Sequence, residues 1–220
     1  MDDSQVDARM NLLAIECSQP RASLCLVREG QVVSSAAWEA ERNHDAHLFP
    51  ALQEALQALG SASLDYILVG AGPGSYGGVR VALAAAVGIA TVRGARVVAV
   101  GSWDALSEGN TIGVISDARR GGWTLRRPSG EIVVLTPDEL KAEIAAGLQV
   151  ASIEDAAIVS KAGIDVMKPG VCPTAEGLAA TWDALTEEQR AALAAKPAEP
   201  IYVRPPHITA AKHKPWEIKN

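Results

Sequence analysis

Apolar runs of strand length and of helix length follow one another along the chain in an order that few architectures accommodate. In the first half, three strand-like runs precede a helix, a strand, a second helix and a last strand. We predict these elements at residues 10–15, 23–28, 31–38, 46–59, 65–70, 76–92 and 96–100. Because Glu29 and Gly30 form a tight turn, the first three strands should be an antiparallel meander beside a central parallel strand.

The second half begins the same order again at an offset of about one hundred residues, so that Gly30 and Val33 correspond to Gly130 and Val133. We predict its strands at 111–116, 123–127, 131–135 and 156–160, and its helices at 136–146, 174–185 and 186–195. Such a repeat predicts an α/β protein of the two-lobed actin-like (ribonuclease-H-like) fold class, each lobe a mixed sheet with flanking helices. The expected divisions are an extension at 1–9, an N-terminal lobe at 10–105, a smaller lobe at 106–199 and a C-terminal segment with a basic tail at 200–220.

Charge and hydropathy narrow the functional classes. The 220 residues carry 20 Lys and Arg against 26 Asp and Glu, a net charge of −6, and so lack the basic surplus of an autonomous nucleic-acid-binding protein. The longest uncharged apolar run, at 81–92, is shorter than the roughly 20 residues of a membrane span, and the acidic N-terminus is unlike a signal peptide. We expect a cytoplasmic protein that does not bind membranes, with its three cysteines buried as free thiols.

The predicted helix at 76–92 has no polar face. Small and aliphatic residues surround its axis, whereas a helix on the surface of a monomer usually keeps one polar side. One side can pack on its own sheet, and the other needs a cover, either a helix of the same chain or a helix of a partner. The residues expected at this contact are Leu48, Leu52 and Leu56 of the first helix and Gly78, Ala82, Ala85, Ala86, Gly88 and Ile89 of the second.

A glycine-rich loop of Gly72, Pro73, Gly74 and Ser75 precedes this helix, whose free N–H groups and dipole favour an anion. The loop contains the pattern G-x-G-x-x-G, which is typical of NAD- or FAD-binding sites. Such a site is disfavoured because the strand before the loop is the fourth of its sheet, and because Asp104 lies too far along the chain for the ribose-binding carboxylate. A Walker A loop and a nucleophile elbow do not fit the residues. Two interpretations of the loop therefore stay open: it binds a ligand, or it is a tight strand-to-helix turn whose glycines adopt positive φ values.

Side chains at two corresponding strand ends are further candidates for chemistry. Glu16 and Ser18 follow the first strand, and Asp117, Arg119 and Arg120 follow its counterpart in the second lobe. In a two-lobed fold these turns face each other across a cleft, where the carboxylates could bind a metal–nucleotide complex. Salt-bridged structural turns are the alternative.

Five segments together resemble, in order and spacing, the bacterial TsaB (YeaZ) family. They are LLAIECS at 12–18, RNH at 42–44, GPGSYGGVR at 72–80, DARRG at 117–121 and PIYVR at 200–204. The resemblance covers about 10–204 and includes Arg42, His44 and Arg80. It departs at Glu16, where the family usually carries Asp, and at Asp45, where it usually has Ser.

The resemblance implies a role in the threonylcarbamoylation of adenosine 37 in tRNAs that read ANN codons. It implies a subunit without catalytic residues, metal or cofactor, which activates the paralogous transferase TsaD through the helix pair described above. TsaD and the ATPase TsaE would be its partners, ATP would be bound mainly by those partners, tRNA would be reached indirectly, and the protein alone would be a homodimer. TsaD binds metal through two histidines spaced four residues apart, and His44 and His47 do not have that spacing. We expect these two histidines to cap the start of a helix or to lie on the solvated surface.

Other functional classes stay open. A stand-alone actin-like ATPase, or a sugar or small-molecule kinase, would use Glu16 and Asp117. A peptidase would fit the glycoprotease label of the wider family, although no Ser-His-Asp set can be assembled from the sequence. The basic tail, which holds Arg204, Lys212, Lys214 and Lys219 against Glu217, could contact tRNA in a complex or remain solvated.

Overall fold

The computed structural model describes residues 10–39, 44–106 and 111–203, except for the side chains of His44 and Asp45. The extension at 1–9, Arg42 and the basic tail from Arg204 lie outside these residues. The strands are β1 (Asn11–Glu16), β2 (Arg21–Arg28), β3 (Gln31–Glu39), β4 (Tyr66–Gly70), β5 (Arg96–Val100), β6 (Gly113–Asp117), β7 (Trp123–Arg126), β8 (Ile132–Leu135) and β9 (Val150–Ser152). The helices are α1 (His44–Leu59), α2 (Tyr76–Arg93), α3 (Pro137–Ala145), α4 (Ala156–Ala162), α5 (Ala175–Asp183) and α6 (Glu187–Ala194), and a short 3-10 helix covers Ser102–Ala105.

The two sheets share one topology. The first has the order β3-β2-β1-β4-β5 and the second the order β8-β7-β6-β9. In each, three antiparallel strands are followed by a strand parallel to the first of them, β4 beside β1 and β9 beside β6. The hairpin turns contain Gly30 and Gly130, with φ values of 77° and 89°. The predicted internal repeat is therefore confirmed.

Helices cover both faces of the first sheet, so β1 is buried along its whole length. Its side chains alternate between the faces: Leu13 and Ile15 pack under α1 and α2, while Leu12 and Ala14 pack against α5 around Trp182. The helices α5 and α6 follow the second sheet in the chain, and the sequence analysis places them in the lobe at 106–199. They pack on the first sheet, which gives that sheet its second helical layer.

The prediction of a strand at 156–160 is wrong. These residues form α4, and the strand beside β6 is β9, to which the sequence analysis assigned no element. Asp155 starts the helix because its side chain accepts a hydrogen bond from the backbone nitrogen of Ile158 at 3.0 Å. Gly163 ends it in the left-handed conformation, with φ of 63°. A short apolar run does not by itself distinguish a strand from a helix, and here the capping residues decide.

The other predicted elements are confirmed, with small shifts at their ends. By length and composition alone, α2 is a helix that could cross a membrane. It connects the parallel strands β4 and β5, however, and its residues Val79, Ala82 and Ala86 are buried on the sheet. This is the position of a crossover helix in an α/β layer.

Candidate functional site

An apolar groove runs between α1 and α2 on the side that faces away from the first sheet. We call it the α1–α2 groove; its volume is about 920 Å³. Its lining residues are Phe49, Leu52, Gln53, Leu56 and Gln57 of α1 and Val81, Ala84, Ala85, Gly88, Ile89 and Arg93 of α2. Phe49 is 56% exposed on its wall, and Val87, on the outer side of α2, is 51% exposed. No helix within the described residues covers this face.

Hydrogen bonds at both ends hold α2 in place. The hydroxyl of Ser75 accepts a bond from the backbone nitrogen of Gly78 at 3.2 Å and so caps the first turn. Gly94 ends the helix with φ of 71°. In the last turn, Arg93 donates from Nη1 to the carbonyl oxygen of Gly60 at 3.0 Å. Gly60 directly follows α1, so this bond ties the two helices together at one end of the groove.

The structure divides the predicted contact residues into two groups. Leu52, Leu56, Ala85, Gly88 and Ile89 line the groove. The others, Leu48, Gly78, Ala82 and Ala86, are buried against the sheet and support the surface from below. The sequence analysis missed Phe49, Gln53, Gln57, Val81, Ala84 and Arg93. Together with the predicted residues, they recur at intervals of three and four residues along each helix, and this pattern is the signal that could have identified them.

The packing of the monomer does not require a glycine at position 88. A β-carbon added to Gly88 would have no atom within 4 Å. Glycine inside a helix costs about 1 kcal/mol relative to alanine, and no contact among the described residues compensates for that cost. The residue instead leaves the backbone of α2 open to close approach from outside.

The glycine-rich loop before α2 is filled by the protein itself. The backbone nitrogen of Ser75 donates to the carbonyl oxygen of Ser18 at 2.6 Å, and that of Gly72 donates to the hydroxyl of Ser102 at 3.0 Å. The space beside Gly74, which a β-carbon would need, is occupied by the carbonyl group of Ser18. Two of the loop's backbone donors are therefore satisfied inside the chain, as in a structural strand-to-helix turn.

Glu16 lies beneath this loop and is fully buried. Its Oε1 accepts a hydrogen bond from the backbone nitrogen of Ser18 at 2.6 Å. Its Oε2 occupies the place that a β-carbon on Gly70 would take. Burial raises the pKa of Glu16, and the hydrogen bond from the backbone nitrogen of Ser18 opposes this shift in part. The carboxyl group thus lies beside Ser18, Gly70 and Ser102, at the end of β1, and is shielded from solvent.

The corresponding turn of the second lobe is exposed. Asp117 accepts a hydrogen bond at Oδ1 from the backbone nitrogen of Arg119 at 2.7 Å. Arg119 and Arg120 have φ values of 60° and 55°, in the left-handed region, and their side chains are exposed. Glu154, which the sequence analysis missed, accepts hydrogen bonds from the hydroxyl of Ser116 and the backbone of Asp117. The turn is thereby attached to the end of β9.

An exposed cluster of Tyr76, Arg80 and Tyr202 lies at the start of α2. The guanidinium carbon of Arg80 stands 3.9 Å above the ring centroid of Tyr76. Its Nε donates to the hydroxyl of Tyr202 at 3.3 Å, and the two tyrosine rings lie 5.3 Å apart. The backbone nitrogen of Ile201 donates to the carbonyl oxygen of Ala71 at 2.8 Å. The described part of the C-terminal segment, up to Val203, therefore crosses the glycine-rich loop and lies beside the start of α2.

The remaining candidates show little reactive chemistry. His44 begins α1, but its side chain is outside the described part of the structure. Across 10–39, 44–106 and 111–203, no three His, Cys, Asp or Glu residues form a group that could hold a metal ion.

Cys17 and Cys25 are buried free thiols, as predicted, and Cys172 is half-buried. Burial raises the pKa of Cys17 and Cys25 to about 12 and that of Cys172 to about 11, so all three are protonated at neutral pH.

Comparisons with known proteins agree with this architecture. The family model described as TsaD, tRNA N6-adenosine threonylcarbamoyltransferase, matches residues 38–157. The tRNA threonylcarbamoyladenosine biosynthesis protein TsaB of Bacillus subtilis is 33% identical over 119 residues, which are 51% of this chain and 52% of that protein. An uncharacterized protein of Mycobacterium tuberculosis is 36% identical over 116 residues, which are 50% of this chain and 54% of that protein. The matching segments span about half the length of these curated relatives.

Solved structures match almost the whole chain. YeaZ from Pseudomonas aeruginosa superposes with a TM-score of 0.65 at 24% identity, over 88% of this chain and 99% of that chain. A second structure, described as an uncharacterized protein with similarity to peptidase YeaZ from Pseudomonas aeruginosa, reaches 0.69 at 23% identity, over 89% and 100% of the two chains. At this identity the likeness establishes the fold alone. The predicted actin-like (ribonuclease-H-like) fold class is confirmed.

Proposed function

Because the chain belongs to the TsaB (YeaZ) family, we propose that it acts in the biosynthesis of threonylcarbamoyladenosine in tRNA. Its role is that of a non-catalytic partner, which binds the paralogous transferase TsaD and activates it for modification of adenosine 37. TsaE is a further partner of the complex, tRNA is reached through the complex, and ATP is held mainly by the other subunits. The protein alone forms a homodimer in the cytoplasm.

The observation that carries this proposal is the uncovered apolar face of α1 and α2. The groove of about 920 Å³ is lined mainly by apolar residues, and Phe49 stands exposed on its wall. Apolar patches of this kind on soluble proteins mark interaction surfaces, because exposing them to water is unfavourable. Gly88 supports the same reading, since its open backbone allows close approach by a partner helix. A TsaD-type paralogue and a second copy of this chain would both use this face.

The surroundings of the motif residues favour a structural role over a catalytic one. The loop at Gly74 is occupied by the carbonyl group of Ser18, where a phosphate-binding loop needs open backbone N–H groups. Glu16 is buried under that loop. These contacts support a subunit whose motif residues position α2 for docking.

The proposal is tested in cells depleted of the protein and complemented with its variants, by mass spectrometry of nucleosides from bulk tRNA. Wild-type protein should restore threonylcarbamoyladenosine, and Gly88→Arg should not, because the arginine side chain would stand in the groove. The matched control is Ile158→Arg, which places the same side chain at a 42% exposed apolar residue of α4 in the second lobe. Unchanged modification after verified depletion would contradict the proposed pathway.

Binding measurements separate the partner role from the alternative of a stand-alone ATPase or kinase. Titration calorimetry should detect association of the purified protein with the TsaD-type protein of the same organism, and no micromolar binding of ATP to the protein alone. Gly88→Arg should abolish the association and leave the circular dichroism spectrum unchanged. Micromolar ATP binding by the isolated protein, with normal partner binding by Gly88→Arg, would reverse this conclusion.

A further inference from the structure

Arg80 is held in one orientation although it lies on the surface. Its guanidinium group stacks 3.9 Å above the ring of Tyr76, and its Nε is bonded to the hydroxyl of Tyr202. An exposed arginine ordinarily samples many rotamers, and ordering it on binding costs free energy. In this protein the contacts with Tyr76 and Tyr202 already order the side chain of Arg80 in the monomer. The guanidinium group is therefore preorganised, and less conformational entropy is lost when a partner binds.

Among the described residues, the two Nη groups of Arg80 have no hydrogen-bond or ion-pair partner. Within 10–39, 44–106 and 111–203, no carboxylate forms an ion pair with Arg80, and its only hydrogen bond is the one from Nε. Both Nη groups therefore keep their donors. Two parallel N–H donors on a planar fork match the two oxygens of a carboxylate and bind it bidentately.

Arg80 also continues the surface of the α1–α2 groove. Arg80, Ala84 and Gly88 are spaced four residues apart and so form one stripe along α2. Ala84 and Gly88 line the groove, and Arg80 extends the stripe by one turn toward the start of the helix. A protein seated on the groove would reach it there. Tyr and Arg are also the residue types that most often dominate the energy of protein–protein interfaces.

We propose that Arg80, positioned by Tyr76 and Tyr202, binds a carboxylate side chain of the protein that docks on the α1–α2 groove. The inference rests on the proposed function, because it takes the TsaD-type paralogue as that protein. A carboxylate is favoured over an RNA phosphate because the adjoining surface is apolar and the chain has a net charge of −6, whereas RNA-binding surfaces are rich in basic residues. Arg80 is thus a charged contact at one end of a docking surface that is mainly apolar.

The test is a titration of the TsaD-type protein of the same organism with wild-type protein and variants at low and high salt. Arg80→Gln should weaken binding by about 10- to 100-fold at low salt, as expected for a lost charge-assisted hydrogen-bonded pair. It should also reduce the salt dependence, which a purely structural role of Arg80 would leave unchanged. Arg80→Lys should recover only part of the affinity, because a lysine cannot bind bidentately. Tyr202→Phe should weaken binding by a smaller factor, since the ring contact remains.

The control is Arg28→Gln, which removes the same charge at a distant site. Arg28 is the register partner of Asn11 at the start of β1, at the end of the first sheet opposite to the start of α2. It should bind as wild type does. If Arg80→Gln binds with unchanged affinity and salt dependence while Gly88→Arg does not bind, the role of Arg80 is overturned and the docking surface stands. If Gly88→Arg also binds normally, the docking surface itself is wrong. If Arg80→Gln leaves the protein complex intact but weakens its binding of tRNA, Arg80 contacts phosphate and the carboxylate assignment is overturned.

Discussion

The carbonyl oxygen of Ser18 accepts a hydrogen bond from the backbone nitrogen of Ser75 at 2.6 Å and also fills the space that a β-carbon on Gly74 would need. This contact joins the segment after β1 to the first turn of α2. The start of a helix that faces solvent is thereby fixed to the central strand of the sheet. The glycine-rich loop at 72–75 therefore fixes the position of α2 relative to β1.

Gly74→Ala should destabilise the protein by about 1–3 kcal/mol, because the new methyl group would overlap backbone atoms that have little freedom to move. The measurement is the free energy of unfolding in urea. The matched control is Gly77→Ala, in the same motif, where an added β-carbon meets no atom within 4 Å. That variant should lie within about 1 kcal/mol of wild type, on the stabilising side if it differs. Equal stability of the two variants would contradict the packing described for Gly74.

Glu16 should make stability depend on pH. Because burial raises its pKa in the folded protein, the folded state holds this proton at pH values where the unfolded chain has lost it. Its contribution to stability is complete below the unfolded pKa of about 4.5 and is lost as the pH rises through the folded value. Glu16→Gln, which cannot ionise, should therefore gain stability relative to wild type as the pH rises from 5 to 9. Urea unfolding at each pH measures the difference, and a difference that stays constant with pH would show that folding does not raise the pKa of Glu16.

An ion pair whose arginine is buried connects β7 to the 3-10 helix that follows β5. The side chain of Arg126 is 6% exposed and pairs with Asp104, whose side chain is 40% exposed. Asp104→Asn should destabilise the protein by about 1–3 kcal/mol, because a largely buried cation loses its carboxylate. The double variant Asp104→Asn with Arg126→Met should be less destabilised than the sum of the single variants predicts, since it removes the cation as well. Additive free energies of unfolding would exclude a coupling between the two side chains.

Substitutions at Gly88 should change the association of the protein without impairing its folding. Gly88→Ala has room for its methyl group and should stabilise the monomer by about 0.5–1 kcal/mol through helix propensity. Gly88→Arg should fold equally well but fail to self-associate, because its side chain would project into the α1–α2 groove. Sedimentation velocity over a range of concentrations measures the self-association, and thermal unfolding measures the stability. A Gly88→Arg protein that forms dimers as wild type does would place the homodimer contact elsewhere.

Local patterns along the chain were sufficient to predict most of the fold. Capping residues, glycine turns and the alternation of apolar runs specified the strands of the first sheet and all but β9 of the second, because these signals act between neighbours in sequence. The error at 156–160 arose where an Asp cap preceded a short apolar run. The apolar helix at 76–92 also predicted a side that its own sheet does not cover, and among the described residues this side forms the α1–α2 groove.

Contacts between residues far apart in sequence required the tertiary structure. Only the folded chain brings α5 and α6 onto the first sheet, buries Glu16 beneath the glycine-rich loop and places Tyr202 beside Arg80. It also decides which side of α2 is covered: Ala82 and Ala86 face the sheet, whereas Ala85 and Gly88 face the groove, although all four are small residues of one apolar helix. The sequence by itself determined that the helix is apolar all round. The sheet beneath it decided which residues remain open to a partner, because burial depends on what packs against each face.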